Sequence, residues 1–435
     1  MIAVLAAVLG AALAAPAAAA PATAVGPRST VVDLGGARAY VHADQASPLA
    51  AVELFVRAGL ERQRAGQSGL AALVAESVLH TPVAPGSGTA IPLADAVDAC
   101  GASIGYVVSA QHVRFYLEGT PAGLAAAAPL VARALSGPAF DVASVAAARA
   151  ALAERVADEE GDPRFVGLQL LRSSYYRGPA GLPALGDPGS LAALAPADLK
   201  AFFARWYLRG DAFVTEVGRT GDATDAAGRA IAQALPPGTA PAAPLAIRPF
   251  GAQPKRIVTH RDVAAAYVVV GFAAPSLGDR DFAAALVLRE LLAGVFARPG
   301  ATTPAPVFRA AGTIYGYDTV PAHLVMWING SRLDPEQGLA GVDALLKRAA
   351  SKPLAASVLS RYKETARGAW TLETVSLEQR AFAVGNAVAH GLDADVNDDV
   401  GAAIARVTGA DVQRVAKKYF QKFDVALVMP RASEN

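Results

Sequence analysis

Leu194–Val214 aligns without gaps on Val407–Leu427, and this internal repeat constrains the fold more than any single motif. Asp198 recurs as Asp411, the aromatic pair Trp206-Tyr207 as Tyr419-Phe420, and Asp211 as Asp424, each 213 residues on. In both copies a capping-type Asp opens an amphipathic helix, and the second Asp leads into an apolar strand. Upstream, the strand-like runs Val52–Val56 and Tyr267–Gly271 each precede an Ala/Leu/Val-rich helix, one carrying Glu76 and the other Glu290, an offset of 214. A chance match of one helix would not keep its register over such a distance, so the chain reads as two tandem homologous domains.

The Pro-rich stretch Pro236–Pro244 cannot continue a helix or enter a sheet interior, and it marks the join. The expected organisation is a leader over 1–25, an N-terminal domain over 26–235, a linker over 236–247 and a C-terminal domain over 248–435. Ala102–Ser109 runs through a two-residue turn, Ala110-Gln111, into His112–Glu118. That is a hairpin, so the sheets are at least partly antiparallel. The expectation is an α+β fold of two tandem domains, each a mostly antiparallel sheet with helices packed on one face.

Composition excludes several classes. Of the 435 residues 18% are charged, with 39 Lys+Arg against 38 Asp+Glu and a net charge of +1, and no basic stripe stands out. There is thus no electrostatic reason to expect nucleic acid as a partner. Beyond the N-terminus no apolar run is long enough to span a bilayer. The Ala/Leu/Val-rich start, with Pro16 and Ala-x-Ala options near Ala18–Ala22, reads as a secretory signal peptide, although its first residues hold no Lys or Arg. A periplasmic or secreted location follows. The single cysteine, Cys100, cannot form an intrachain disulfide and reads as a small core residue.

The order of several short motifs resembles the pitrilysin/insulinase-like zinc metallopeptidases, especially their mitochondrial-processing-peptidase-like subunits. The motifs are Val56-Arg-Ala-Gly59 with Glu61, Gly66, Ser68 and Gly69-Leu-Ala71, then Asp98–Ser103, Phe140, Glu159–Pro163 and Trp206-Tyr207. The second half adds Leu291–Gly294, Phe308-Arg309 and Gly312–Tyr315. The resemblance covers nearly all of 30–430. It implies a His-x-x-Glu-His helix after Gly69-Leu-Ala71, in which two imidazoles one turn apart bind zinc and the Glu is the base for metal-bound water. The residues present are Ala72-Leu-Val-Ala75-Glu76. Ala72 replaces the first His, Ala75 the Glu and Glu76 the second His, and no such motif or its inverse occurs elsewhere. The third ligand that the family implies falls within a residue or so of Glu154.

The resemblance therefore implies a non-catalytic subunit with no metal of its own. Zinc is expected in a homologous partner chain, the two enclosing a peptide substrate between them. It also implies that Arg309 and Tyr315 contact that substrate, in a spacing one residue shorter than usual. An inert scaffold or a peptide-binding protein of the same fold is the alternative. Glu76 and His80, at i and i+4, offer at most half a metal site. The remaining histidines, His42, His112, His260, His323 and His390, have no ligand-spaced partner in the sequence. No nucleophile elbow, phosphate-binding loop or paired-Cys zinc spacing is present.

Overall fold

A computed structural model describes residues 28–241, 246–297, 310–316, 321–330 and 334–431. The leader over 1–25 and Arg309 lie outside them.

The first half contains β1 (Thr30–Asp33), β2 (Arg38–Ala43), β3 (Ala50–Val56), α1 (Leu70–Leu79), a two-residue ladder of β4 (Pro82–Val83) and β5 (Ile91–Pro92), and α2 (Leu93–Asp98). The hairpin β6 (Ala102–Val108) and β7 (Val113–Gly119) follows, then α3 (Pro121–Ser136), α4 (Val142–Gly161), α5 (Pro163–Tyr175), α6 (Pro188–Ala193), α7 (Pro196–Trp206), β8 (Ala212–Gly218) and α8 (Asp222–Ala234). The second half runs β9 (Arg256–Arg261), β10 (Tyr267–Ala274), α9 (Phe282–Ala297), β11 (Ala310–Gly316) and β12 (Ala322–Asn329). It continues through α10 (Pro335–Ser351), α11 (Ala356–Glu373), α12 (Leu377–Ala389), α13 (Val400–Arg406), α14 (Gly409–Tyr419) and β13 (Asp424–Pro430).

These elements make two separate sheets of one topology, in a two-domain α+β fold. The first is ordered β1-β2-β8-β3-β7-β6 and the second β9-β13-β10-β12-β11. Setting β1 aside, the strands correspond one to one, down to the parallel pair at the same place, β2 with β8 and β9 with β13. All other strand pairs in the two sheets are antiparallel. Helices α3, α4 and α5 begin at residues 121, 142 and 163, and α10, α11 and α12 at 335, 356 and 377, an offset of 214 each time.

The repeated Asp residues act at the third helical position, not as N-caps. Asp198 accepts the Ala195 N–H (2.9 Å), and Asp411 accepts the Thr408 N–H (2.9 Å). Only the second copy returns a side-chain bond, from the Asp411 N–H to the Thr408 hydroxyl (3.2 Å), because Ala195 has no side-chain oxygen to offer. The Ser109 N–H bonds the His112 carbonyl at 2.8 Å, leaving Ala110 and Gln111 at the hairpin tip.

Each sheet packs its own helices on one face, α1 and α3 among those of the first half and α9 and α14 among those of the second. The opposite face of each is covered by a helix from the other half. α5 lies on β10 and β13, burying Leu171 and Tyr175 with Val269, Val325 and Ala426. α12 lies on β3 and β8, burying Leu377, Ala381 and Val384 with Ala51 and Val217. Two glycines permit this exchange. A Cβ on Gly167 would stand 2.4 Å from a Val269 methyl, and one on Gly385 would stand 2.2 Å from the Phe55 ring.

The linker is anchored at its C-terminal end. Arg248 donates to the Ser174 carbonyl (3.0 Å) and the Gln253 carbonyl (3.0 Å), and its guanidinium also meets Asp424 and the Ser174 hydroxyl. Asp424, fully buried, accepts further from the N–H of Gly251 (3.1 Å). One charge pair thus joins α5, the residue that follows the linker and β13.

Candidate functional site

α1 is buried from Leu70 to Val78, because its sequence is apolar on every side except at Glu76 and Ser77. Ala72 and Ala75 are sealed in the core and present only methyl groups. Glu76 is the polar centre of the helix. Its Oε2 accepts from the Tyr106 hydroxyl (2.7 Å) on β6 and from Arg155 Nη1 (3.0 Å) on α4. Arg155 Nη1 also reaches the Tyr106 oxygen at 2.8 Å, and His80 Nε2 stands 3.3 Å from Glu76 Oε1. Burial, and then the Glu76 charge, pushes the Tyr106 hydroxyl well above the usual tyrosine range, so it stays protonated as a donor.

Glu154 is exposed on α4. Its neighbour Arg155, one helical position on, is the residue that turns toward α1. The side chain standing across from Glu76 is therefore a guanidinium, and the carboxylate expected near that position faces solvent. Helical phase decides this, since adjacent residues on a helix point about 100° apart.

This arrangement does not fit a zinc ion. Ala72 and Ala75 supply no donor atom, and the Glu76 carboxylate already holds a cation and a hydroxyl. The fixed positive charge of Arg155 stands where a metal would need negative or neutral ligands. The Glu76–His80 pair stays within hydrogen-bonding range, and among the described residues no third ligand joins it.

Tyr315, which the resemblance implies as a substrate contact, is buried. It is 7% exposed, donates its hydroxyl to the Pro275 carbonyl at 2.7 Å, and packs edge-on against Phe282 at 5.2 Å. Burial pushes its hydroxyl far above the usual range. Tyr315 is a core side chain of the second half, since an aromatic ring at this β11 position points toward α9. A cavity of about 400 Å3 opens nearby between α4–α5 and β11–β12, lined by Glu159, Phe165, Gln169, Ile314 and His323 among others.

One gathering of chemical groups escaped sequence reasoning. His42, on β2, meets Asp395 and Asp398, from the turn between α12 and α13. No local spacing could reveal it, because His42 lies more than three hundred residues from the two aspartates and meets them only when the two halves dock.

Among solved structures the chain resembles a protease from Helicobacter pylori, with TM-score 0.80 and 16% identity over 93% of this chain and 100% of that one. It resembles a peptidase M16 inactive domain from Pseudomonas fluorescens, with TM-score 0.79 and 17% identity over 94% and 99%. A chain of the Inz-5-bound complex III2 from Candida albicans matches with TM-score 0.72 and 15% identity over 92% and 95%. No protein-family model and no curated protein sequence matches this chain. At these identities the likeness establishes the fold. No helix of the described residues is long and apolar enough to cross a membrane.

Proposed function

We propose that this chain is the non-catalytic subunit of an exported two-chain zinc peptidase, forming one wall of a chamber whose metal is held by a homologous partner. The observation that carries the reading is Arg155 on Glu76, a cation built into the place where a peptidase of this fold would need metal ligands. The likeness to a protein described as an inactive domain supports it. Arg309 is the residue assigned to substrate. A guanidinium can hold a peptide carbonyl or a developing oxyanion by two parallel hydrogen bonds. Tyr315 packs β11, the strand that Arg309 precedes in the sequence.

Co-expression with a His-x-x-Glu-His-bearing homologue tests this, with size analysis and a peptidase assay. The expected result is a stable pair that cleaves peptides, while this chain alone does not. In the pair, Arg309→Ala should lower turnover by the equivalent of about 2–4 kcal/mol if Arg309 acts as an oxyanion donor, with assembly intact. A pair as active with Arg309→Ala as without it removes the substrate role, and failure to pair removes the subunit reading. The likeness to a chain of complex III2 favours the second reading, an inert scaffold, which predicts stable assembly with no effect of this chain on hydrolysis.

A further inference from the structure

His42 projects from β2 of the first half, 15% exposed at its side chain, and its Nδ1 lies 3.6 Å from Asp395 Oδ1. Asp395 is held by the Ser29 main chain, whose N–H bonds both carboxylate oxygens (2.9 and 3.1 Å), while the Ser29 hydroxyl meets His42 Nδ1 at 3.2 Å. Asp398 completes the set, with one donor atom from each of the three side chains within 4.8 Å of the others. Ligand atoms around a first-row ion, held at about 2.0–2.2 Å, stand about 3–4 Å apart, so modest side-chain closure brings these three into range.

The charge balance points the same way. Among the described residues no Lys or Arg pairs with Asp395 or Asp398. In the same turn Asn397 is 8% exposed. Its amide nitrogen donates to the Ala383 carbonyl (2.8 Å), and its Oδ1 is buried with no hydrogen-bond donor found for it. Two carboxylates without a Lys or Arg partner thus meet one imidazole across the seam.

We propose that His42, Asp395 and Asp398 bind a divalent transition-metal ion that ties the first sheet to the α12–α13 turn of the second half. One imidazole with two carboxylates suits zinc or manganese, whereas an all-oxygen site would suit calcium. This site lies on the seam between the halves, separate from α1, and it stands whether or not the peptidase reading does.

The test uses the untagged, chelator-washed chain, titrated calorimetrically with Zn2+, Mn2+ and Ca2+ and melted with and without each ion. One Zn2+ or Mn2+ per chain is expected, with a rise in Tm. His42→Ala and Asp398→Asn should each weaken binding at least tenfold and abolish the Tm rise, and His80→Ala should change neither. Asp398 is exposed, so its substitution leaves folding intact should His42→Ala prove unstable. Absence of saturable binding overturns the proposal in favour of a hydrogen-bonded clasp. So does Ca2+ binding indifferent to His42→Ala, or metal lost in His80→Ala alone.

Discussion

The two halves share one topology but reverse the polarity of the charge pair at their first long helix. In the first half α1 carries the acid, Glu76, and α4 the base, Arg155. In the second half α9 carries the base, Arg289, which meets Glu290 (2.9 Å) beside it and Glu373 (2.7 Å) on α11. The surroundings differ too. The Arg155 side chain is 45% exposed, whereas that of Arg289 is 3% exposed. Burial raises the Glu373 carboxyl above its usual range, Arg289 pulling it back and Glu290 adding to the rise. A duplicated fold thus keeps a helix–helix ion pair while leaving its direction free. The backbone constrains where charge must be neutralised, and either helix can supply either sign.

The largest expected effect tests this difference. Arg289→Leu strands two partly buried carboxylates and should destabilise the chain by about 3–5 kcal/mol. Arg155→Leu leaves Glu76 with the Tyr106 hydroxyl and access to water, and should cost about 1–2 kcal/mol. Denaturant unfolding of both variants measures the contrast, and equal losses would remove the distinction between a buried and a half-open pair.

A second comparison lies in the exchanged helices. Gly385 faces the edge of a rigid ring and Gly167 faces a methyl at the end of a side chain. Gly385→Ala should cost about 1–3 kcal/mol and Gly167→Ala less, because a Val rotamer yields more readily than a packed Phe. Thermal melts of the two variants decide it, and a larger loss for Gly167→Ala would show that the α5 seam is the stiffer one.

The third difference is in pH response. The first sheet buries Glu53 and Glu216, where the matching register of the second sheet has Tyr267 and Met429. Burial pushes Glu216 from 4.5 up to about 8, with Asp225 adding to the rise. Glu53 is likewise pushed up to about 8 by burial, although Arg114 (2.6 Å) opposes it and also binds Glu378 of α12 (2.8 Å). Both folded pKa values lie above the unfolded ones. Between about pH 4.5 and 8 the native chain therefore retains protons that the unfolded chain has released, and stability falls as pH rises through that window. Glu216→Gln should flatten this decline by on the order of 1–3 kcal/mol. Stability curves from pH 5 to 8 measure it, and an unchanged slope would assign the effect to Glu53 or elsewhere.

The residues themselves determined the duplication, the hairpin at Ala110-Gln111, the α+β character and a helix that carries Ala72, Ala75 and Glu76 with no His-x-x-Glu-His motif. These are matters of local periodicity, turn chemistry and residue identity, which a linear reading captures. Only the tertiary structure decided that Arg155, not Glu154, faces Glu76, since one residue of helical phase separates the side chain that meets Glu76 from a solvated carboxylate. It also decided that the Tyr315 hydroxyl turns inward to Pro275, because a strand's buried face is defined by what packs on it. The exchange of α5 and α12, and the meeting of His42 with Asp395 and Asp398, depend on how two halves dock. Contacts between residues hundreds of positions apart leave no periodic trace in the chain, and only the packed interface brings them together.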